Sequence, residues 1–192
     1  MKTSKKFSVV VVLFMSILCS GCAGYSKYMK PTPTLLQPTT DKALVRFMRP
    51  SGFGFAINFN MLDGESVIGN SVAMSQFDYL AEPGKHLFIA TAENKAFLEA
   101  DLEAGETYYV ITTVYSGVWS ARVAFAAVNK GSEYWDKVRE LEKSLKIVEP
   151  DSVSLKAWED GNKEKIKALI SQYETKWKNA YQWPVLRPED GR

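Results

Sequence analysis

From Ala43 onward the apolar residues of short runs recur at every second position, a period that points to β-structure. "ALVRFM" (43–48) alternates. "FGFAINFNM" (53–61) does so strictly, with Phe53, Phe55, Ile57, Phe59 and Met61 on one side and Gly, Ala and Asn on the other. That pattern reads as a half-buried strand. Asp63-Gly64 is a type I′ hairpin signal, and a hairpin about it sets Phe59 opposite Ile68. "EPGK" (82–85) puts Pro and Gly at the centre of a type II turn between "QFDYLA" and "HLFIATA". "EAGE" (103–106) likewise joins "FLEADL" to "TYYVITTVY", and Ser116-Gly117 precedes "ARVAFAAVN". Short strands with turns at this spacing predict a mainly β fold, an antiparallel β-sandwich of about seven strands over residues 41–131.

After Gly131 the period turns helical. Tyr134, Val138, Leu141 and Leu145 fall on one stripe, with Ser132 placed as N-cap and Pro150 as the breaker. A second stripe aligns Ile166, Leu169, Ile170, Tyr173 and Trp177, and its opposite face is rich in Lys and Glu. Two C-terminal amphipathic helices are therefore expected over 132–183, packed on the sandwich or on each other, because helical stability comes mostly from such packing. The tail 184–192, with Pro184 and Pro188, is expected to be irregular.

The N-terminus has a different character. Lys2, Lys5 and Lys6 precede an apolar run from Phe7 to Leu18 broken only by Ser8 and Ser16. A dozen residues fall short of the ~20 that a spanning helix needs and suit the h-region of a secretory signal. "LCSGCAG" follows, with small Ser20 and Gly21 directly before Cys22. These residues resemble the lipobox of bacterial lipoproteins, although Cys19 stands where that family usually has Leu. The resemblance implies a signal peptide over 1–21, removed together with Cys19, and a lipidated Cys22 as the new N-terminus. Ala23 rather than Asp after the cysteine implies, by the family's sorting rule, the outer membrane of a Gram-negative cell, facing the periplasm. Residues 22–40, with Pro31, Pro33 and Pro38 among threonines, are expected to form an extended tether.

Other uses of the cysteines fit poorly. A CxxC redox pair belongs beside a βαβ pattern, and a zinc site takes about four ligands. The chain has two cysteines and one histidine. No metal and no cofactor is expected. Without its three N-terminal lysines the chain carries 21 basic and 22 acidic residues, a net charge of −1, so the exported part has no electrostatic footprint for nucleic acid. At 46% apolar and 12% aromatic it can build a core without disulfides.

Within the β region, "ALVRFMRP" (43–50), "LDG" with "IG" (62–64 and 68–69), "PGKH" (83–86) and "AGETYYV" (104–110) together resemble a family of bacterial lipoproteins whose domain has no assigned function. The PGKH turn is also similar to that of the small PEGA surface domains. The resemblance implies a sandwich-like fold and an envelope location, and it carries no catalytic residues.

The chain lacks the GxSxG, HExxH, P-loop and Rossmann patterns. His86, the single histidine, sits just after a turn, where a capping or packing role is expected before a catalytic one. Of the tryptophans, Trp135 and Trp177 lie on or beside apolar stripes. Trp119, in "YSGVWSAR", falls in a turn and is the candidate contact residue. The sequence thus predicts a lipid-anchored, non-enzymatic envelope protein that acts as a binding or structural module. Its expected partners are the membrane, through its anchor, and an envelope protein or glycan. The competing expectation is an envelope hydrolase using His86. Mass spectrometry of the mature N-terminus is expected to find a diacyl- or triacyl-cysteine at position 22, and Cys22→Ser is expected to leave the membrane fraction in a salt wash.

Overall fold

The computed structural model describes residues 26–117 and 121–192. Among these residues the fold is mainly β, built on two mixed sheets with three α-helices. In chain order the strands are β1 (Met29–Pro31), β2 (Ala43–Arg49), β3 (Phe59–Asp63), β4 (Ser66–Ser71), β5 (Ser75–Ala81), β6 (Gly84–Thr91), β7 (Lys95–Leu102), β8 (Thr107–Ser116) and β9 (Ala121–Ala127). Helix α1 (Val138–Ser144), strand β10 (Lys146–Pro150), helices α2 (Ser152–Asp160) and α3 (Lys163–Gln172), and strand β11 (Val185–Leu186) follow. The first sheet runs β1-β10-β5-β2-β8-β9 and the second β11-β7-β6-β3-β4.

The expected seven-stranded, purely antiparallel sandwich is corrected on two points. There are eleven strands among the described residues, and three pairings are parallel: β2 with β8, β5 with β10, and β7 with β11. The reason lies in the turns. EPGK and EAGE join strands of different sheets, so the chain leaves the first sheet after β5 and returns as β8 beside β2. A period of two shows which side chains share a face. It does not show which strand lies alongside.

The two sheets bury a shared core. Val45, Phe47, Tyr108, Val110 and Phe125 of the first meet Phe59, Met61, Phe88, Leu98 and Ala100 of the second. Phe47 stacks on Phe77 and meets Phe88 edge-on at 5.2 Å between centroids. Gly69 allows the close approach, because a Cβ there would come within 2.7 Å of the Phe77 ring.

Each sheet is also covered on its outer face. Met48, Tyr109 and Ile111 pack against Val138 and Leu145, and Leu62, Ile89 and Phe97 pack against Ile166 and Tyr173. The two helical stripes thus lie on opposite sheets and not on each other. The predicted α3 stripe holds along its length: Leu169, Ile170 and Trp177 join the same cluster, and the last turn widens into a π-helix over Tyr173–Trp177.

Several local expectations are overturned. The strand expected over 53–61 begins only at Phe59, and Phe53, Phe55 and Ile57 are 53%, 70% and 36% exposed. The hairpin turn is Gly64-Glu65 between paired Asp63 and Ser66, and a bulge beside Leu62 sets Phe59 opposite Ser71, not Ile68. A type I′ turn demands positive φ at both central residues, and here only Gly64 has it, at φ 54°.

The helical region and both ends differ as well. Ser132 caps nothing, since α1 starts six residues later with Lys137 as N-cap. Its C-terminal carbonyls are met by the buried Gln76 amide, which donates to Glu142 O at 2.7 Å. Pro150 ends a strand rather than a helix, because Leu145 already turns extended. In the expected tether, Met29–Pro31 pair with β10, Met29 is buried in the core, and Leu36 N–H donates to Asp78 Oδ2 at 2.7 Å. The tail is ordered too. β11 pairs with β7, and buried Asp190 accepts from Asn129 Nδ2, Lys130 N and Arg187 N.

Phe59 and Phe55, four residues apart and on one side of the alternation, should therefore respond in opposite ways to truncation. Phe59→Ala is expected to cost about 3–5 kcal/mol in denaturant unfolding, and Phe55→Ala no more than about 0.5 kcal/mol.

Candidate functional site

Strand β2 buries all seven of its residues, including two arginines on opposite faces. Arg49 faces the inner side, in phase with Val45 and Phe47, at the end where β2 runs into residues 50–58. Its Nη1 donates to Ile57 O at 2.7 Å and Ser71 O at 3.3 Å. Its Nη2 donates to Phe53 O at 3.0 Å and Gly54 O at 2.8 Å. No carboxylate is among these partners. The guanidinium also lies 5.5 Å from the Phe59 ring, and burial pulls its pKa down to about 10, so it stays charged at neutral pH.

This geometry explains why the alternation from Phe53 to Ile57 does not become a strand. A buried cation demands acceptors, and carbonyls that would have bonded to a neighbouring strand bend inward to supply them. Gly54, at φ 63°, permits the bend, and Ile57 N–H closes it on Gly54 O at 2.8 Å. The side chains of Phe53, Phe55 and Ile57 are left outside. Met74, which follows β4, and Tyr115, near the end of β8, are 46% and 42% exposed at this same end of the sheets. The result is an apolar loop tip on a braced scaffold.

The opposite end is closed by polar groups. His86 Nδ1 lies 2.7 Å from Asp63 Oδ2, and Nε2 lies 2.7 Å from Glu82 O. Tyr79 Oη donates to the same Asp63 oxygen at 2.9 Å, and the imidazole stacks on Phe88. Both ring partners are acceptors, an arrangement that favours the imidazolium. The hydrogen bond to Asp63 raises the His86 pKa against the pull of desolvation. Desolvation and the Asp63 charge push the Tyr79 phenol up as well. As a strand-end residue that packs and bonds, His86 sits where its sequence position implied.

Two clefts flank the second sheet. One, of about 470 Å³, lies between α3 and the sheet, among Leu62, Lys95, Trp158 and Ile166. The other, of about 640 Å³, is lined by both charges, with Glu99, Asp101 and Glu174 against Lys85, Lys178 and Arg187. In it Tyr173 Oη donates to Glu99 at 2.5 Å and Lys178 to Glu174 at 3.0 Å. Among the described residues no group of three or more His, Cys, Asp or Glu is placed to hold a metal, and no helix is long and apolar enough to cross a membrane.

Cys22 and Trp119, the lipidation and contact residues expected from the sequence, both lie outside the described residues. Phe53, Phe55 and Ile57, expected on one face of a half-buried strand, are the exposed tip, and Arg49 puts them there without any mark in the motif pattern. Compared with known proteins, the chain matches no family model, no curated protein and no solved structure.

The His86 bonds tie stability to pH in a defined direction. A folded-state pKa above the ordinary 6.5 means that the stabilisation is complete below about pH 6.5 and fades as pH rises through the raised value. Melting temperature followed against pH is expected to show this decline in the wild-type chain and a flatter profile in His86→Gln.

Proposed function

We propose that this chain is a lipid-anchored envelope protein that acts as a non-enzymatic binding module, with the loop tip around Phe53 and Phe55 as its contact surface. The observation that carries this reading is that tip. Two phenylalanines, 53% and 70% exposed, stand on a loop whose Phe53, Gly54 and Ile57 carbonyls are held by a buried arginine. Leaving large aromatics in water gains nothing for folding, whereas loop aromatics on a rigid scaffold suit contact. The anchor rests on the basic, apolar and small-residue pattern before Cys22 and on its likeness to a lipobox.

The hydrolase reading draws less support. A general base must have a nitrogen free to accept a proton, and both His86 nitrogens are engaged with acceptors.

The contact reading is tested with a photoreactive benzoylphenylalanine at position 55, and at exposed position 65 in the turn at the other end, in intact cells. Irradiation is expected to give an adduct, protein or lipid, from position 55 and none from position 65. Equal labelling of both, or none at 55, would remove the tip from the function.

A further inference from the structure

We infer that the tip is a lipid-contacting surface, one that seats Phe53, Phe55 and Ile57 in the interface of an anionic bilayer. The inference rests on the reading of the tip as a contact surface and names its occupant.

The first support is composition. Pro50 to Asn60, eleven residues, carry no charged side chain, and neither do residues 72–74 that add Met74. An aqueous loop is seldom so bare.

The second is how the backbone is satisfied. Lipid offers no hydrogen bonds, so polar main-chain groups entering it must be met internally. Here the carbonyls of Phe53, Gly54 and Ile57 point back to Arg49. Phe53 N–H donates to Ser51 Oγ at 3.0 Å and Ile57 N–H to Gly54 O at 2.8 Å. Three of the loop's carbonyls thus turn inward while the side chains of Phe53 and Phe55 face out.

The third is shape. Phe53, Phe55 and Met74 line none of the clefts beside the second sheet; they project from a turn. A protein partner must present a pocket for each projecting ring to reach native packing density, whereas a fluid acyl region closes around any outline. Aromatic rings also favour the bilayer interface.

The fourth is charge. At the same end of the sheets as the tip, Lys95 at the start of β7 and Arg122, paired across the sheet with Tyr115, are exposed. Glu93 is the sole acid in the connection between β6 and β7. Exposed cations at the apolar end of the sheets suit anionic headgroups.

The test uses the full chain with Cys19→Ser and Cys22→Ser, which removes both native thiols. A single cysteine is then introduced as Phe55→Cys, or as Glu65→Cys in the turn at the opposite end, and labelled with an environment-sensitive fluorophore. Vesicles of phosphatidylethanolamine and phosphatidylglycerol, with and without spin-labelled lipid, serve as the probe. The label at 55 is expected to shift to the blue and to be quenched by spin-labelled lipid, with the label at 65 unaffected. Adding Phe53→Ser is expected to weaken the vesicle dependence of the signal at 55 by about tenfold.

No response at 55, or equal quenching at 55 and 65, would overturn the inference. So would a shift at 55 that needs no vesicles and grows with protein concentration, because a second copy of the chain would then cover the tip. If the label is silent toward vesicles while irradiation in cells still joins position 55 to a protein, lipid falls and the contact reading stands. If both experiments are silent, both fall.

Discussion

A strand buried on both faces that carries two arginines must find partners for two charges, and the solutions found for β2 shape the rest of the molecule. An unpaired buried charge costs several kcal/mol, so neither side chain can be left to chance. On the outer face Arg46 engages Asp78 with two nitrogens, at 2.7 and 3.0 Å, and also reaches Glu142. Tyr109 Oη donates to Glu142 at 2.9 Å, and Leu36 O accepts from Arg46 at 3.1 Å. That one network joins β2, β5, β8, α1 and the N-terminal segment. On the inner face Arg49 has only carbonyls, and taking them turns the next segment into a loop. One arginine ties layers together. The other shapes an end.

How much of this was legible follows from the same strand. In a period of two, residues three apart point to opposite faces, so "VRFMR" already requires one of its arginines to point inward if either face is core. The clue to Arg49 was present. What it would bond to was not, because carbonyl partners leave no mark on a sequence. The alternation in "FGFAINFNM" is therefore sound as periodicity and wrong as a strand for its first half, where Gly54 at φ 63° and the Arg49 bonds override it. The inner residues of β3, Phe59 and Met61, are readable from the alternation. Sheet membership is not, since turns such as EPGK look alike within a sheet or across two.

The C-terminal third shows the same division. The stripe from Ile166 to Trp177 buries itself as its period demands, against Phe97, whose ring lies 4.6 Å from Tyr173 and 5.0 Å from Trp183. The tail contradicted its two prolines. A proline needs no ladder donor at an edge, and the short β11 pairs through Val185 and Leu186, between Pro184 and Pro188. Beyond it, Arg192 and Thr107 exchange backbone hydrogen bonds, and the Arg192 guanidinium lies 3.5 Å over the Trp135 ring. Long-range closure of this kind depends on where the two segments meet in space, which local composition does not encode.

Helices on both outer faces leave the sheet ends as the places where the core approaches solvent, and the two ends are finished differently. At one, Asp63, Tyr79 and His86 lay a hydrogen-bonded polar seal over Phe88. At the other, buried Arg49 is turned inward to hold the backbone, and phenylalanine, isoleucine and methionine side chains face out. Both ends derive from the same alternating strands, so alternation alone does not account for the contrast. It comes from the choice of partner: a carboxylate for the histidine, which lets a charged group sit at the surface, and main-chain carbonyls for the arginine, which keep the charge inside and send apolar side chains out in its place.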